Sequence, residues 1–155
     1  MYERILIPLD GSERAEQVIP YVTELAGERV TRLFLLHVVE PPVIATPVVT
    51  PIAESAAPQL ITLEDALKRA QQEAKAYLDR KVGELTRESI SCEVILEQGA
   101  VVERIVRAAE ANDVGLIAMT SHGRTGLATA FFGSVAVGVL HRAERPLLLI
   151  RSDRD

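Results

Sequence analysis

The chain has 155 residues, 48% hydrophobic and 25% charged, a size and balance that suit one globular domain with a sizeable core. A formal net charge of -5 without any Lys/Arg cluster argues against a nucleic-acid binder, which presents a basic face. The single cysteine, Cys92, rules out an internal disulfide framework and suits a reducing compartment.

At the amino terminus, the apolar segment closed by Asp10 is too short for a secretory signal. The longest charge-free stretch, Thr125 to Leu140, carries three glycines and falls short of the roughly 20 residues a membrane span needs. A cytoplasmic protein is expected. Ile5 to Leu9 reads as a buried strand ended by the turn Asp10-Gly11-Ser12. Pro8 marks its departure from the sheet, because proline donates no ladder hydrogen bond. Ser12 is the expected N-cap of a helix from about Glu13 to Gly27. Its apolar face is Ala15, Val18, Ile19, Val22, Leu25 and Ala26, and Pro20 within it predicts a kink.

Leu33 to Val39 is a second buried strand. His37 within it reads as a core or rim histidine, since no second His, Cys or carboxylate stands at metal-site spacing. Residues 40–61 change character: Pro41, Pro42, Pro47, Pro51 and Pro58 interrupt an apolar stretch without periodicity. Such a loop is a lid, a partner surface or a tolerated insertion. Thr62, with Asp65 three residues on, opens a helix in a capping-box arrangement. Leu63, Leu67, Ala70, Ala74, Leu78, Val82 and Leu85 hold helical spacing to about Thr86, with the charged face assigned to solvent.

Cys92 to Leu96 is a short third strand, with Cys92 expected as a buried structural thiol. Gly99 turns the chain into a helix carrying Val101, Val102, Ile105, Val106 and Ala109, which Asn112-Asp113 ends. Leu116 to Met119 forms a fourth strand, broken by Thr120, Ser121, His122 and Gly123. Gly133-Ser134 opens a helix ending in His141 and Arg142, whose charges suit its negative end. Pro146 stops it, and Leu147 to Ile150 makes a fifth strand.

Strands alternating with helices imply a parallel sheet covered on both faces. Ligands bind such sheets at the carboxyl ends of strands, where strand order reverses. If strands one and four are neighbours there, Asp10-Gly11-Ser12 and Thr120 to Gly123 meet in one crevice. Gly123, Arg124, Gly133 and the Ser134 hydroxyl would then hold phosphate oxygens, through amides, charge and side-chain hydrogen bonds. Asp10 would accept from ribose hydroxyls, and backbone at Leu9 and Val38 would hold the base. A triphosphate brings Mg²⁺, which needs few protein ligands. Simpler readings compete residue by residue. Glycines after a strand form turns, Gly133-Ser134 starts a helix, and Asp10 could cap the first helix.

The segments Arg4 to Ser12, Leu35 to Val38, Ser121 to Gly126, Gly133 to Val135 and Arg145 to Ile150 together resemble the universal stress protein family, over essentially the whole chain. Its ATP-binding branch carries Gly-x-x-Gly, nine residues, then Gly-Ser/Thr. Gly123, residues 124–132 and Gly133-Ser134 match the later parts, whereas Thr120 stands at the first glycine. The resemblance implies a single domain over 1–155 with residues 40–61 as an insertion. It also implies a five-stranded parallel sheet in order 3-2-1-4-5, of the Rossmann-like, adenine nucleotide alpha hydrolase-like kind. A homodimer pairing Leu147 to Ile150 is implied as well. The nucleotide contacts it implies are Pro8, Leu9, Asp10, Val38, Met119, Thr120, His122, Gly123, Arg124, Gly133, Ser134 and Val135.

The function expected is that of a cytoplasmic ATP-binding regulatory protein of stress response, with ADP or AMP as other occupants. No Walker A Gly-Lys-Ser/Thr follows a strand, and no second carboxylate accompanies Asp10 at a strand end, so at most slow ATP hydrolysis or autophosphorylation is expected. The alternative is a nucleotide-free dimer working through the 41–61 loop. A phosphoacceptor receiver is disfavoured because Leu96-Glu97-Gln98 stands where an aspartate would end the third strand. Flavin binding is disfavoured by the three Tyr, three Phe and absent Trp.

Overall fold

The computed structural model describes residues 2–26, 32–41, 63–87, 90–121 and 133–151. In chain order the elements are β1 Arg4–Pro8, α1 Glu13–Glu16, α2 Ile19–Ala26, β2 Arg32–Val39, α3 Leu63–Arg87, β3 Ser91–Gln98, α4 Val101–Ala111, β4 Leu116–Thr120, α5 Ser134–Arg142 and β5 Leu147–Ile150. The strands form one parallel sheet in the order β3-β2-β1-β4-β5, as the resemblance implied.

Period-two alternation divides the core between the two faces. Ile5, Ile7, Leu9, Leu33, Leu35, Leu116 and Ala118 pack with Ala15, Val18, Val22, Tyr77 and Leu78 on the α1–α3 side. Leu6, Phe34, Leu36, Ile117 and Met119 pack with Ile105, Ala108, Ala109, Ala136 and Val139 on the α4/α5 side. Helices α4 and α5 approach closely because Gly138 lies against Val102; a Cβ at Gly138 would stand 2.7 Å from the Val102 methyl.

The predicted helix Glu13 to Gly27 is two helices. The chain breaks at Gln17-Val18 rather than kinking at Pro20, which sits in the first turn of α2. A proline ring clashes with the carbonyl four residues back and has no N–H to bond it, here the carbonyl of Glu16. The third strand reaches from Ser91 to Gln98, longer than its apolar core, because the whole of β2 is in register with it, Arg32↔Ser91 through Val39↔Gln98. Helix α4 ends as expected, with Asn112 as C-cap and Asp113 at φ 45. Thr62 and most of the 40–61 loop lie outside the described residues, so the capping box and the lid assignment do as well.

The two sheet edges differ. Strand β3 exposes Ser91, Glu93, Val94 and Gln98, with Glu93 paired to Arg32 of β2 at 3.0 Å. Strand β5 carries four half-buried apolar residues and no charge. Cys92 is half-buried on β3, and burial pushes its thiol up to about 11.

Candidate functional site

The sheet opens where β1 and β4 part. They pair only at Ile5↔Leu116 and Leu6↔Ile117, whereas β1 and β2 stay in register through Pro8↔Leu36. Proline has no N–H for a neighbouring strand, which accounts for β1 ending at Pro8. Beyond that point lies a cleft of about 660 Å³ at the carboxyl end of the sheet, between strands in the reversed part of the order.

Nine of the twelve implied contact residues line this cleft: Pro8, Leu9, Asp10, Val38, Met119, Thr120, Gly133, Ser134 and Val135. His122, Gly123 and Arg124 lie outside the described residues. The tips of β1 and β4 and the start of α5 therefore share one crevice, the adjacency that periodicity alone left open.

Two backbone donors differ from expectation. The Gly133 amide, assigned to a phosphate oxygen, donates to the Ser121 carbonyl at 2.6 Å and ties the start of α5 to the end of β4. At Leu9, whose backbone was assigned to the base, the amide donates to the Leu36 carbonyl at 2.8 Å and extends the β1–β2 ladder by one bond, which leaves the carbonyl as the group that assignment can use. Both are drawn into the frame because a buried amide without a partner is costly. The donors of α5 shift accordingly. Its first ladder bond runs from the Val137 amide to the Gly133 carbonyl at 3.0 Å, so the Ser134, Val135 and Ala136 amides precede the ladder at the positive end of the helix.

Asp10 lines the cleft and also serves the frame. Its Oδ1 accepts from the Ser12 amide at 3.0 Å and the Ser12 hydroxyl at 2.6 Å. Ser12 is the N-cap of α1, and its hydroxyl oxygen accepts from the Ala15 amide at 3.1 Å. Ser12, not Asp10, thus caps the first helix, with Asp10 holding the cap.

Thr120, the departure from the glycine pattern, is only 5% exposed. It follows Met119, which packs on the α4/α5 side, so alternation sends the Thr120 side chain to the opposite face. The added side chain belongs to the α1–α3 side of the sheet, and Thr120 lines the cleft.

The cleft consequently has two walls. Pro8, Leu36, Val38, Val101, Ile105, Met119, Val135 and Ala136 make an apolar wall beside the start of α5. Opposite it, α3 contributes Ala70, Glu73, Ala74, Tyr77 and Arg80, joined by His37 and Glu40 from β2 and its end. Sequence reasoning missed this second wall by giving the polar face of α3 to solvent. The available signal was Tyr77, the lone aromatic of α3, set in the alanine stripe Ala70, Ala74. Its ring meets His37 edge-on at 6.2 Å, and the Arg80 guanidinium lies 5.9 Å from the ring centroid. Its hydroxyl donates to Glu16 Oε1 at 3.0 Å, and burial together with that carboxylate pushes the phenol well above its ordinary range. Glu16 Oε2 pairs with Lys81 Nζ at 2.7 Å. Burial alone would lower the Lys81 ammonium, but its bonds to Glu16 and Glu84 outweigh that and hold it above its usual value. Among the described residues there is no group of three or more His, Cys, Asp or Glu that could hold a metal ion.

Fold and cleft define a doubly wound α/β protein with an open cleft at the strand-order switch. The profile of the Universal stress protein family matches residues 1–151, and the chain belongs to that family. It is 30% identical over 155 residues to the universal stress protein MJ0577 of Methanocaldococcus jannaschii, covering 97% of this chain and 96% of that protein. The solved structure of MJ0577 superposes with a TM-score of 0.81 at 27% identity, over 100% of this chain and 99% of that one. The universal stress protein YxiE of Bacillus subtilis is 25% identical over 97% of this chain and 100% of its own. A universal stress protein of Archaeoglobus fulgidus in complex with dAMP shares the fold, with a TM-score of 0.64, 24% identity, and 97% and 98% of the two chains covered. Among the described residues no helix is long and apolar enough to cross a membrane.

Proposed function

We propose that the protein binds an adenine nucleotide, ATP with Mg²⁺, in this cleft and serves as a cytoplasmic regulatory module of stress response whose output follows occupancy. The observation that carries the reading is that the Asp10 carboxylate and the opening turn of α5 line the same cleft. Electrostatics orients the ligand. The described lining carries Asp10, Glu40 and Glu73 against the single guanidinium of Arg80, so an anion is favoured only at the α5 end, where amides and the helix dipole face it. Phosphates accordingly lie on the Ser134, Val135 and Ala136 amides and the Ser134 hydroxyl, and the family resemblance implies Gly123 and Arg124 as further phosphate contacts. The ribose lies at Asp10, whose carboxylate stands at the end of β1 in the cleft and is oriented there by the Ser12 amide and hydroxyl. The base lies against Val38 and Met119. Mg²⁺, which keeps most of its waters, would be held chiefly by the phosphates.

Calorimetric titration of dialysed protein with ATP, ADP and AMP tests this, together with mass spectrometry of nucleotide released from fresh preparations. Saturable binding of one nucleotide per chain is expected; no heat and no released nucleotide would overturn it. The same reading makes the chain a homodimer through β5. Among the described residues that strand is an uncharged edge, paired to β4 alone. Leu148→Lys should give a monomer in sedimentation velocity. A dimer that takes up no nucleotide would instead favour a protein-interaction module acting through the 41–61 loop.

A further inference from the structure

Helix α1 is a single turn of four residues, too short to persist by itself, and it begins three residues after Asp10. Both its ends are fastened. At the amino end the Ser12 hydroxyl accepts from the Ala15 amide and donates to Asp10, so cap and carboxylate move together. At the other end Glu16, the last residue of α1, takes the Tyr77 hydroxyl on one oxygen at 3.0 Å and Lys81 Nζ on the other at 2.7 Å. The Glu16 and Lys81 side chains are 25% and 17% exposed, so water and salt weaken this bridge less than a surface pair. The anchor beneath it is rigid, because Leu78, beside Tyr77 on α3, is fully buried in the core.

We infer that Tyr77 and Lys81 are positioning residues for the nucleotide sugar: by holding Glu16 from α3 they fix α1, and through Ser12 they fix the Asp10 carboxylate. This rests on the reading of Asp10 as the ribose acceptor. Neither residue needs to touch the nucleotide, and selection between ribose and deoxyribose depends on a helix distant in sequence. Loosening the bridge lets the Asp10–Ser12–α1 unit shift as one body, so the loss falls on ligands that use Asp10.

The test compares ATP with its 2′-deoxy and 3′-deoxy analogues on wild type, Tyr77→Phe and Lys81→Met. Wild type is expected to prefer ATP to the analogue lacking the recognised hydroxyl by roughly tenfold or more, as for a lost hydrogen bond to a charged group. In Tyr77→Phe, ATP affinity should fall by about that factor while the analogue changes less than about twofold, bringing the ratio toward one. Amide hydrogen exchange at Ala15, Glu16 and Gln17 should quicken in the same variant. Lys81→Met should move both readouts in the same direction, and it carries the test if Tyr77→Phe does not fold. An unchanged ratio in a folded variant, against a discriminating wild type, overturns the inference. Wild type that binds ATP and both analogues equally removes Asp10 from the ribose, and the inference falls with that assignment.

Discussion

The two walls of the cleft are built by different means. The α5 wall is made of backbone: strand ends, a helix start and small or aliphatic side chains, with the Gly133 amide locked to Ser121. The α3 wall is made of side chains meeting across long separations, Tyr77 with Glu16 and with His37. A backbone site tolerates change in most side chains but not a bulky or charged one at its close approach. A side-chain site fails by degrees as its bonds are removed. On the proposed reading, the general chemistry of the ligand falls to the first wall and its finer selection to the second.

Breaking the first wall should have the largest effect. Gly133 has φ -65 and ψ 155, a conformation open to any residue, and aspartate is a favoured N-cap. Gly133→Asp should therefore keep its melting temperature while nucleotide affinity drops by about a hundredfold or more, the carboxylate repelling phosphate at the helix start. Calorimetry and thermal unfolding of the same sample check both halves. Emptying the core beneath the second wall comes next. Leu78 is fully buried, and Leu78→Ala should cost about 3 kcal/mol in urea unfolding.

Smaller again is the cap that the walls share. Ser12→Ala removes the acceptor for the Ala15 amide and one donor to Asp10, and should cost about 1 kcal/mol. The slightest effect is expected from alkali, and it belongs to the α1–α3 side and β3. The Tyr77, Lys81 and Cys92 values are all raised on folding, so their contribution is fully present below the unfolded values and is lost as pH rises. For Cys92 that window opens near 9 and extends to about 11; for Tyr77 and Lys81 it opens near 10.0 and 10.5. Urea midpoints should decline progressively above pH 9, and less steeply in Tyr77→Phe.

The same contrast explains what could be read from the chain. Strand order, the strand-end cleft and the start of α5 were legible because short apolar runs, Asp10-Gly11-Ser12 and Gly133-Ser134 are local signals matched by a family pattern. The consumed amides of Leu9 and Gly133 were not legible, since their acceptors, Leu36 and Ser121, become neighbours only once strands are in register. Nor was the break before Pro20 separable from a kink, because both remove the same ladder bond. The role of α3 was hidden for a third reason. A charged helical face reads as solvent unless one knows that Glu16 and Asp10 lie across from it.

The unequal rims of the sheet bear on how copies of this chain can associate. The β3 rim is guarded by carboxylates, among them Glu93 engaged with Arg32, while the β5 rim is aliphatic throughout. A sheet inviting strands on both sides would grow without end into a filament. One that invites them on a single side closes upon a second copy and stops, because the outward rims of the pair are then both the guarded kind.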